Sequence, residues 1–395
     1  MKGDSSITKI KRLCKWLYNV IIRRLIRALF HIVPINNNKI VVCNFYGKGY
    51  GESPKAIIEA IKKIDVQGKL DIVWLLEEDN YKTFAGDRIR KVKYNSLQSD
   101  YELITSRIWI DNTRKFNAPL KRKKQFYIQT WHGGIALKKV EKATQDTLSK
   151  IYVKQAKIDS KNIDLLISCG TYQTKNYRNN FWYDGDIIEI GTPKNDILVN
   201  GKYNNELKTQ IKEKLCIGNK NVVLYAPTFR NDATYDYDLD YKKLCNHLKE
   251  KTGKDWICVR RLHPNVVERN VVRQGFVLDE SQYDDMTELL LASDLLITDY
   301  SSLMFEYALL DRPVILYLPD KDEYISERSL AIDMNELPFI ECESMEGLVR
   351  ELSDLDIKNY VNKVKKYMTK LGIKENGIAS ETIAQIIMDR LANKN

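Results

Sequence analysis

From residue 40 onward, short runs of β-branched and apolar residues alternate with stretches whose apolar positions recur at helical spacing. Strand-like runs lie at Ile40–Phe45, Asp71–Leu76, Arg107–Asn112, Phe126–Thr130, Leu165–Cys169 and Ile187–Ile190. Helical stretches such as Lys55–Ile64 and Tyr172–Asn179 lie between them. Strands that alternate with helices in this way predict a parallel sheet built from strand–helix–strand units.

A polar span over residues 200–219 holds a charged helical stretch and ends at Gly218-Asn219. A second series follows, with strand-like runs at Val222–Ala226, Trp256–Arg260, Phe276–Leu278, Leu295–Thr298 and Val314–Leu318. Helical patterns at Tyr241–Lys251, Met286–Ala292 and Leu303–Leu310 alternate with them; those at Met345–Leu352, Ile357–Leu371 and Thr382–Leu391 close the chain. The predicted fold class is α/β: two doubly wound, Rossmann-like domains in tandem, a GT-B-like architecture, over residues 39–200 and 201–395. Ligands of such sheets bind at the carboxyl ends of the strands, so the expected site is the cleft between the domains.

Residues 9–33 read as one amphipathic helix. Ile10, Leu13, Leu17, Val20, Ile21, Leu25, Ala28, Leu29 and Ile32 fall on one side; Arg12, Lys15, Asn19, Arg23, Arg27 and His31 fall on the other. Arg23, Arg24 and Arg27 exclude a membrane-spanning helix, and no uncharged apolar stretch resembles the core of a secretory signal. With Trp16, Tyr18 and Phe30, residues 1–38 fit a basic segment lying on an anionic membrane surface. The competing reading is a basic helix packed on the protein's own surface.

Charge sharpens that picture. The net charge is +10, but residues 1–39 carry nine basic side chains against Asp4 alone, which leaves only +2 for the remaining 356 residues. A nucleic-acid partner would require a basic stripe on the folded domains as well. The seven cysteines are scattered without a CxxC pair, which suits a reducing compartment and argues against a disulfide scaffold or a zinc site.

Five stretches place chemically capable residues after predicted strands. In Gln129-Thr130-Trp131-His132-Gly133-Gly134, His132 has the pKa range of a general base and the glycines allow close approach of a ligand; Lys138 and Lys139 could meet phosphate. The alternative is a structural histidine in a glycine turn. Arg260-Arg261-Leu262-His263-Pro264 could clamp a diphosphate or be a solvated turn. Tyr225-Ala226-Pro227-Thr228-Phe229-Arg230 sets a hydroxyl and a guanidinium at a sheet edge. Thr298-Asp299-Tyr300-Ser301-Ser302 runs into a helix, an anion site or an ordinary N-cap, with Glu306 one turn on and within reach of a ribose diol or of solvent. Gly47-Lys48-Gly49-Tyr50-Gly51 looks like a flexible cleft loop. Asp284-Asp285 has no companion carboxylate pair, so no metal or cofactor is assigned.

In order along residues 40–320, QTWHGGIALKK (129–139), YAPTFR (225–230), RLHP (261–264) and ITDYSSLMFEYALLDRPVILY (297–317) resemble the CDP-glycerol glycerophosphotransferase family, which builds teichoic acids and related capsular polymers. FYGKGYGESPKAI (45–57) and IGTPKNDIL (190–198) agree more loosely. The resemblance implies a GT-B enzyme whose C-terminal domain holds a CDP-polyol donor. His132 would be the catalytic base toward the acceptor hydroxyl, and His263 would be a second catalytic histidine, near the donor diphosphate. Gly133, Lys138, Thr228, Arg230, Arg261, Thr298, Asp299, Ser301, Ser302 and Glu306 would contribute to substrate binding. The acceptor would be a lipid-linked saccharide of wall or capsule synthesis, and the protein would sit on the cytoplasmic face of the cell membrane. Gly-Gly after His132, where many teichoic acid members have Gly-Thr-Pro, keeps CDP-ribitol open as donor. A nucleotide-sugar glycosyltransferase of the same fold and a degenerate scaffold are the further alternatives.

Overall fold

A computed structural model describes residues 21–84, 86–230, 239–262, 273–283, 285–327 and 330–393. The first sheet comprises β1 (Asn36–Cys43), β2 (Asp71–Leu76), β3 (Arg90–Lys93), β4 (Ser106–Asp111), β5 (Phe126–Gln129), β6 (Leu165–Ser168) and β7 (Asp186–Glu189). They are parallel and ordered β3-β2-β1-β4-β5-β6-β7. β1 sits at the reversal of strand order, with Val41 opposite Val73 on one side and Trp109 on the other. Its residues from Lys39 to Cys43 are buried because helices cover both faces.

The second sheet repeats the plan with β8 (Asn221–Tyr225), β9 (Trp256–Arg260), β10 (Arg273–Gln274), β11 (Val277–Asp279), β12 (Leu295–Thr298), β13 (Val314–Tyr317) and β14 (Ile340–Cys342). Its order is β10-β11-β9-β8-β12-β13-β14, all parallel except the short β10–β11 hairpin. Here β8 stands at the reversal. Two doubly wound sheets in tandem form a GT-B-like fold.

The pattern-based strands agree to within a residue or two except for β1, which starts four residues before the expected Ile40, in the polar run Asn36-Asn37-Asn38-Lys39. β3, β10 and β14 escaped notice because they are short edge strands, RKVK, RQ and IEC, with charged residues in them. The glycine loop after β1 is more built than a flexible loop. Tyr50 packs edge-on against Trp74 and Phe84, and a Cβ on Gly47 would lie 2.6 Å from the Glu77 backbone nitrogen.

The closing helix Ala379–Ala392 leaves the second sheet and returns to the first. Its Ile383, Ala384 and Ile387 join the core under β1 and β2 and lie against helix Glu52–Ile64. The chain between β7 and β8 thus links the two sheets, while the closing helix crosses back to cover the first.

At the other end, residues 1–20 of the anticipated amphipathic helix lie outside the described residues, and Arg23–Phe30 is helical. Its charged face points inward. Arg23 and Arg27 pair with buried Asp100 at 2.5 and 2.7 Å, and Arg23 also donates to Asn95. Its apolar face points outward: Ile22, Leu25, Leu29 and Ile32 are 48, 63, 62 and 79% exposed. The expected orientation of arginines toward a membrane is thus corrected for Arg23 and Arg27, because a buried carboxylate competes for them. Among the described residues, no helix is long and apolar enough to cross a membrane.

Candidate functional site

The carboxyl ends of the two sheets meet. A Cβ on Gly133, in the loop after β5, would lie 4.0 Å from Ser302 Oγ in the turn after β12. Beyond it, the Ala331 N–H donates to the Leu137 carbonyl at 2.8 Å, and Lys138 bridges Leu330. The histidine loop of the first domain therefore faces the hydroxyl turn of the second.

That loop is held from below. Gln129, buried at the end of β5, donates to the Thr113 carbonyl at 2.8 Å and accepts from the Trp131 N–H at 2.9 Å. Trp131 adopts φ +55°, in the left-handed region that side-chain-bearing residues avoid. Its ring lies 4.7 Å from Phe181 and 5.7 Å from the Arg114 guanidinium. Arg114 is itself 1% exposed, pairs with Glu141 at 2.8 Å and Asp159 at 3.3 Å, and donates to Ser160 and the Phe181 carbonyl. Burial pushes the Asp159 carboxyl up to about 6, against the pull of Arg114. This buried ionic network supports the strained turn that presents His132.

His132 opens to the cleft, with Trp131 and Phe45 rings 4.3 and 5.5 Å away. Its Nδ1 lies 3.0 Å from the Asn112 carbonyl. A carbonyl only accepts, so Nδ1 carries the hydrogen and Nε2 is left as the lone-pair nitrogen. Crowding by protein on its other sides lowers the imidazole pKa, and the Asn112 carbonyl opposes that shift. The ring is thus a neutral, oriented base. Asn112 itself bonds to Asn44 after β1, which ties the adjacent strand ends together.

Across the cleft the expected binding residues fall into two groups. The Thr228 N–H donates to both Asp299 oxygens at 2.9 and 3.0 Å. Arg230 pairs with Asp299 at 2.9 Å and Asp320 at 2.6 Å, donates to Thr228 Oγ1, and lies 4.5 Å above the ring of Tyr324. Tyr324 stacks on Tyr300 at 3.7 Å. These residues knit the turn after β8 to the turn after β12. Burial raises the Asp299 pKa, and Arg230 counters it. Thr298 is fully buried with its hydroxyl donating to the Ala226 carbonyl at 2.7 Å, so it fixes the strand and does not face the cleft.

The second group stands nearer the opening. Ser301 Oγ accepts from the Leu303 N–H at 3.2 Å; Ser302 makes no capping bond and faces Gly133. Arg261 donates to the carbonyls of Glu280 and Ser281 after β11. Lys138 lies 5.5 Å from the Tyr324 ring. Gly133 accepts from Gln173 at 2.7 Å. His263 lies outside the described residues, as does Asp284; Asp285 pairs with Lys55 at 2.7 Å.

Glu306 differs from expectation. It is largely enclosed and paired with Lys194 at 2.9 Å, not turned outward for a ribose diol. Lys194, in the loosely matched IGTPKNDIL stretch, and Glu52, after the glycine loop, were not singled out because each is an ordinary charged residue in sequence. The supporting Asn112 and Arg114 were likewise invisible, since only tertiary packing turns DNTRK into a base-orienting and ionic platform. Among the described residues, no group of three His, Cys, Asp or Glu side chains is set to hold a metal ion.

Residues 25–389 match the family described as CDP-glycerol:poly(glycerophosphate) glycerophosphotransferase. The chain is 31% identical to a teichoic acid poly(glycerol phosphate) polymerase of Staphylococcus epidermidis over 96% of its own length and 55% of the polymerase. It thus spans about half of that larger protein. It is also 31% identical to a teichoic acid glycerol-phosphate transferase of Staphylococcus aureus, over 89% of this chain and 93% of the relative. The structure of the wall teichoic acid polymerase TagF superposes with a TM-score of 0.83 at 29% identity, covering 99% of this chain and all of that one.

Proposed function

Because the chain belongs to the CDP-glycerol:poly(glycerophosphate) glycerophosphotransferase family, we propose that it transfers glycerol phosphate from CDP-glycerol to a hydroxyl of a lipid-linked acceptor, with release of CMP. The observation that carries this reading is the lone-pair Nε2 of His132, fixed by the Nδ1 contact to Asn112 on a loop whose next residue, Gly133, lies against Ser302. The acceptor oxygen attacks the phosphorus that bears glycerol. Its proton passes to His132 Nε2, and the phosphoanhydride bond to CMP breaks, so that CMP departs with the bridging oxygen. Such transfer relies on positioning and charge neutralisation more than on covalent catalysis.

In this reading the second domain holds the donor. Ser301, Ser302, Arg261 and Lys138 line the approach to the diphosphate, and the family resemblance gives His263 of the RLHP motif a catalytic role toward it. Thr228, Arg230 and Asp299 hold the turns that shape that approach. The protein works on the cytoplasmic membrane surface, with the outward row Ile22, Leu25, Leu29 and Ile32 entering the interface. The second donor to consider is CDP-ribitol, favoured by the Gly133–Gly134 turn beside the base.

Purified protein with membrane-extracted acceptor should release CMP from CDP-glycerol. Release from CDP-ribitol alone would reassign the polyol. Release of UDP or GDP from a sugar nucleotide, with none from either CDP-polyol, would overturn the reading.

A further inference from the structure

The GTPKND stretch that follows β7 does more than cross from one sheet to the other. Thr192 donates through both its N–H and its hydroxyl to Glu375, at 2.9 and 2.8 Å, and Asn195 donates to the same carboxylate at 3.0 Å. Asp196 accepts from the backbone of Ala379 and Ser380 at the start of the closing helix. Lys194, between these anchors, has no slack. Its ammonium lies 2.8 Å from Glu52 and 2.9 Å from Glu306, with the three side chains 10, 23 and 12% exposed. One cation thus joins two carboxylates that belong to different domains.

The partners identify what this clamp fixes. Glu52 opens helix Glu52–Ile64 directly after the glycine loop, and it takes φ +59°, a conformation that its side chain disfavours. Glu306 lies one turn beyond Ser302. The glycines after His132 pack between the same elements: a Cβ on Gly134 would lie 3.4 Å from Thr192 Oγ1, and one on Gly133 would lie 4.0 Å from Ser302 Oγ. We propose that Lys194 is a positioning residue of the transfer reaction, clamping Glu52 to Glu306 so that the His132 loop meets the Ser301–Ser302 turn at a fixed separation and faces a fixed local charge. This rests on the reading of His132 as the base.

The charges around His132 give the clamp an electrical signature. Glu52 and Glu141 favour the imidazolium, and Lys194 opposes it. On the neighbouring strand end Asp111 and Lys115 pair with each other at 2.6 Å, and Lys138 is turned toward Tyr324. The carboxylates are mostly enclosed, and removing Lys194 leaves two like charges facing each other across the domain joint.

The test follows the ring of His132 by NMR in the full chain labelled with 13C-histidine; the chain has 4 histidines, and His132→Ala assigns the signal. Glu52→Gln should lower the His132 titration midpoint and Lys194→Met should raise it, each by on the order of half a pH unit. The acidic limb of CMP release should move with the ring. Both variants should lose kcat more than donor affinity, and Lys194→Arg should restore the wild-type midpoint and most of kcat. If Lys194→Met does not fold, Glu52→Gln and Lys194→Arg decide the matter alone. An unmoved midpoint in Glu52→Gln, or a loss confined to donor KM, would overturn the clamp while leaving His132 as base. Full turnover in His132→Ala would instead remove the reading beneath it.

Discussion

His132 presents one nitrogen to the cleft because the other is committed to the Asn112 carbonyl, and that single contact decides its chemistry. A ring free to rotate would offer either nitrogen and would pay orientation entropy at each turnover. Replacing His132 with alanine should lower kcat by roughly 10²–10⁴-fold, the usual contribution of a general base, while donor affinity measured by CDP-glycerol titration stays near wild type. Equal loss of both would mean that the residue binds donor and does not take the proton. The wild-type kcat/KM should fall on acidification with a midpoint below the ordinary imidazole value, since crowding lowers the pKa. The position of this histidine was legible from the sequence, at a strand end before two glycines. Its tautomer was not, because Asn112 follows another strand and contributes only a backbone atom.

At the scale of elements, the helix Arg23–Phe30 reverses the usual reading of a basic amphipathic segment. The periodicity correctly separates its two faces, but periodicity alone does not say which face meets protein. Asp100 decides this. It is buried beneath Arg23 and Arg27, and leaving that carboxylate unpaired would cost more than exposing leucine to water. Membrane attachment through this helix would therefore depend on apolar side chains, with Arg24 left for headgroups. Leu25→Glu with Leu29→Glu should reduce flotation with vesicles at least as strongly as removal of anionic lipid does, and should leave melting temperature unchanged because both positions are exposed. Undiminished flotation would place the contact elsewhere. The same limit of one-dimensional pattern explains Glu306 and Thr298. Both sit at the right sheet edge, and only packing reveals that one faces Lys194 and the other the Ala226 carbonyl.

For the whole molecule, two repeated sheets were readable because each obeys local alternation, whereas the joint between them was not, because its contacts span nearly two hundred positions. Glu375 is the clearest case. It reaches back to Thr192 and Asn195, and a Cβ on Gly170 would lie 2.0 Å from the Gly372 carbonyl, so the chain after helix Ile357–Lys370 is pressed tightly onto the first domain. Burial pushes the Glu375 carboxyl up to about 7, although Thr192 and Asn195 donate to it. A carboxyl raised in the folded state contributes its stability in full below its unfolded value of 4.5 and loses that contribution as pH rises through about 7. The two-domain joint should therefore loosen as pH rises from about 4.5 to about 7, by on the order of 3 kcal/mol in the limit of full ionisation. Glu375→Gln keeps an accepting oxygen without the charge. Its melting temperature should decline less than wild type across that interval, and the two curves should converge at the acidic end. Parallel curves would show that Glu375 is ionised throughout, and that Thr192 and Asn195 compensate its desolvation. The outcome matters for turnover as well, since the segment Glu375 grips carries Lys194, which joins the base-bearing domain to the opposing hydroxyl turn.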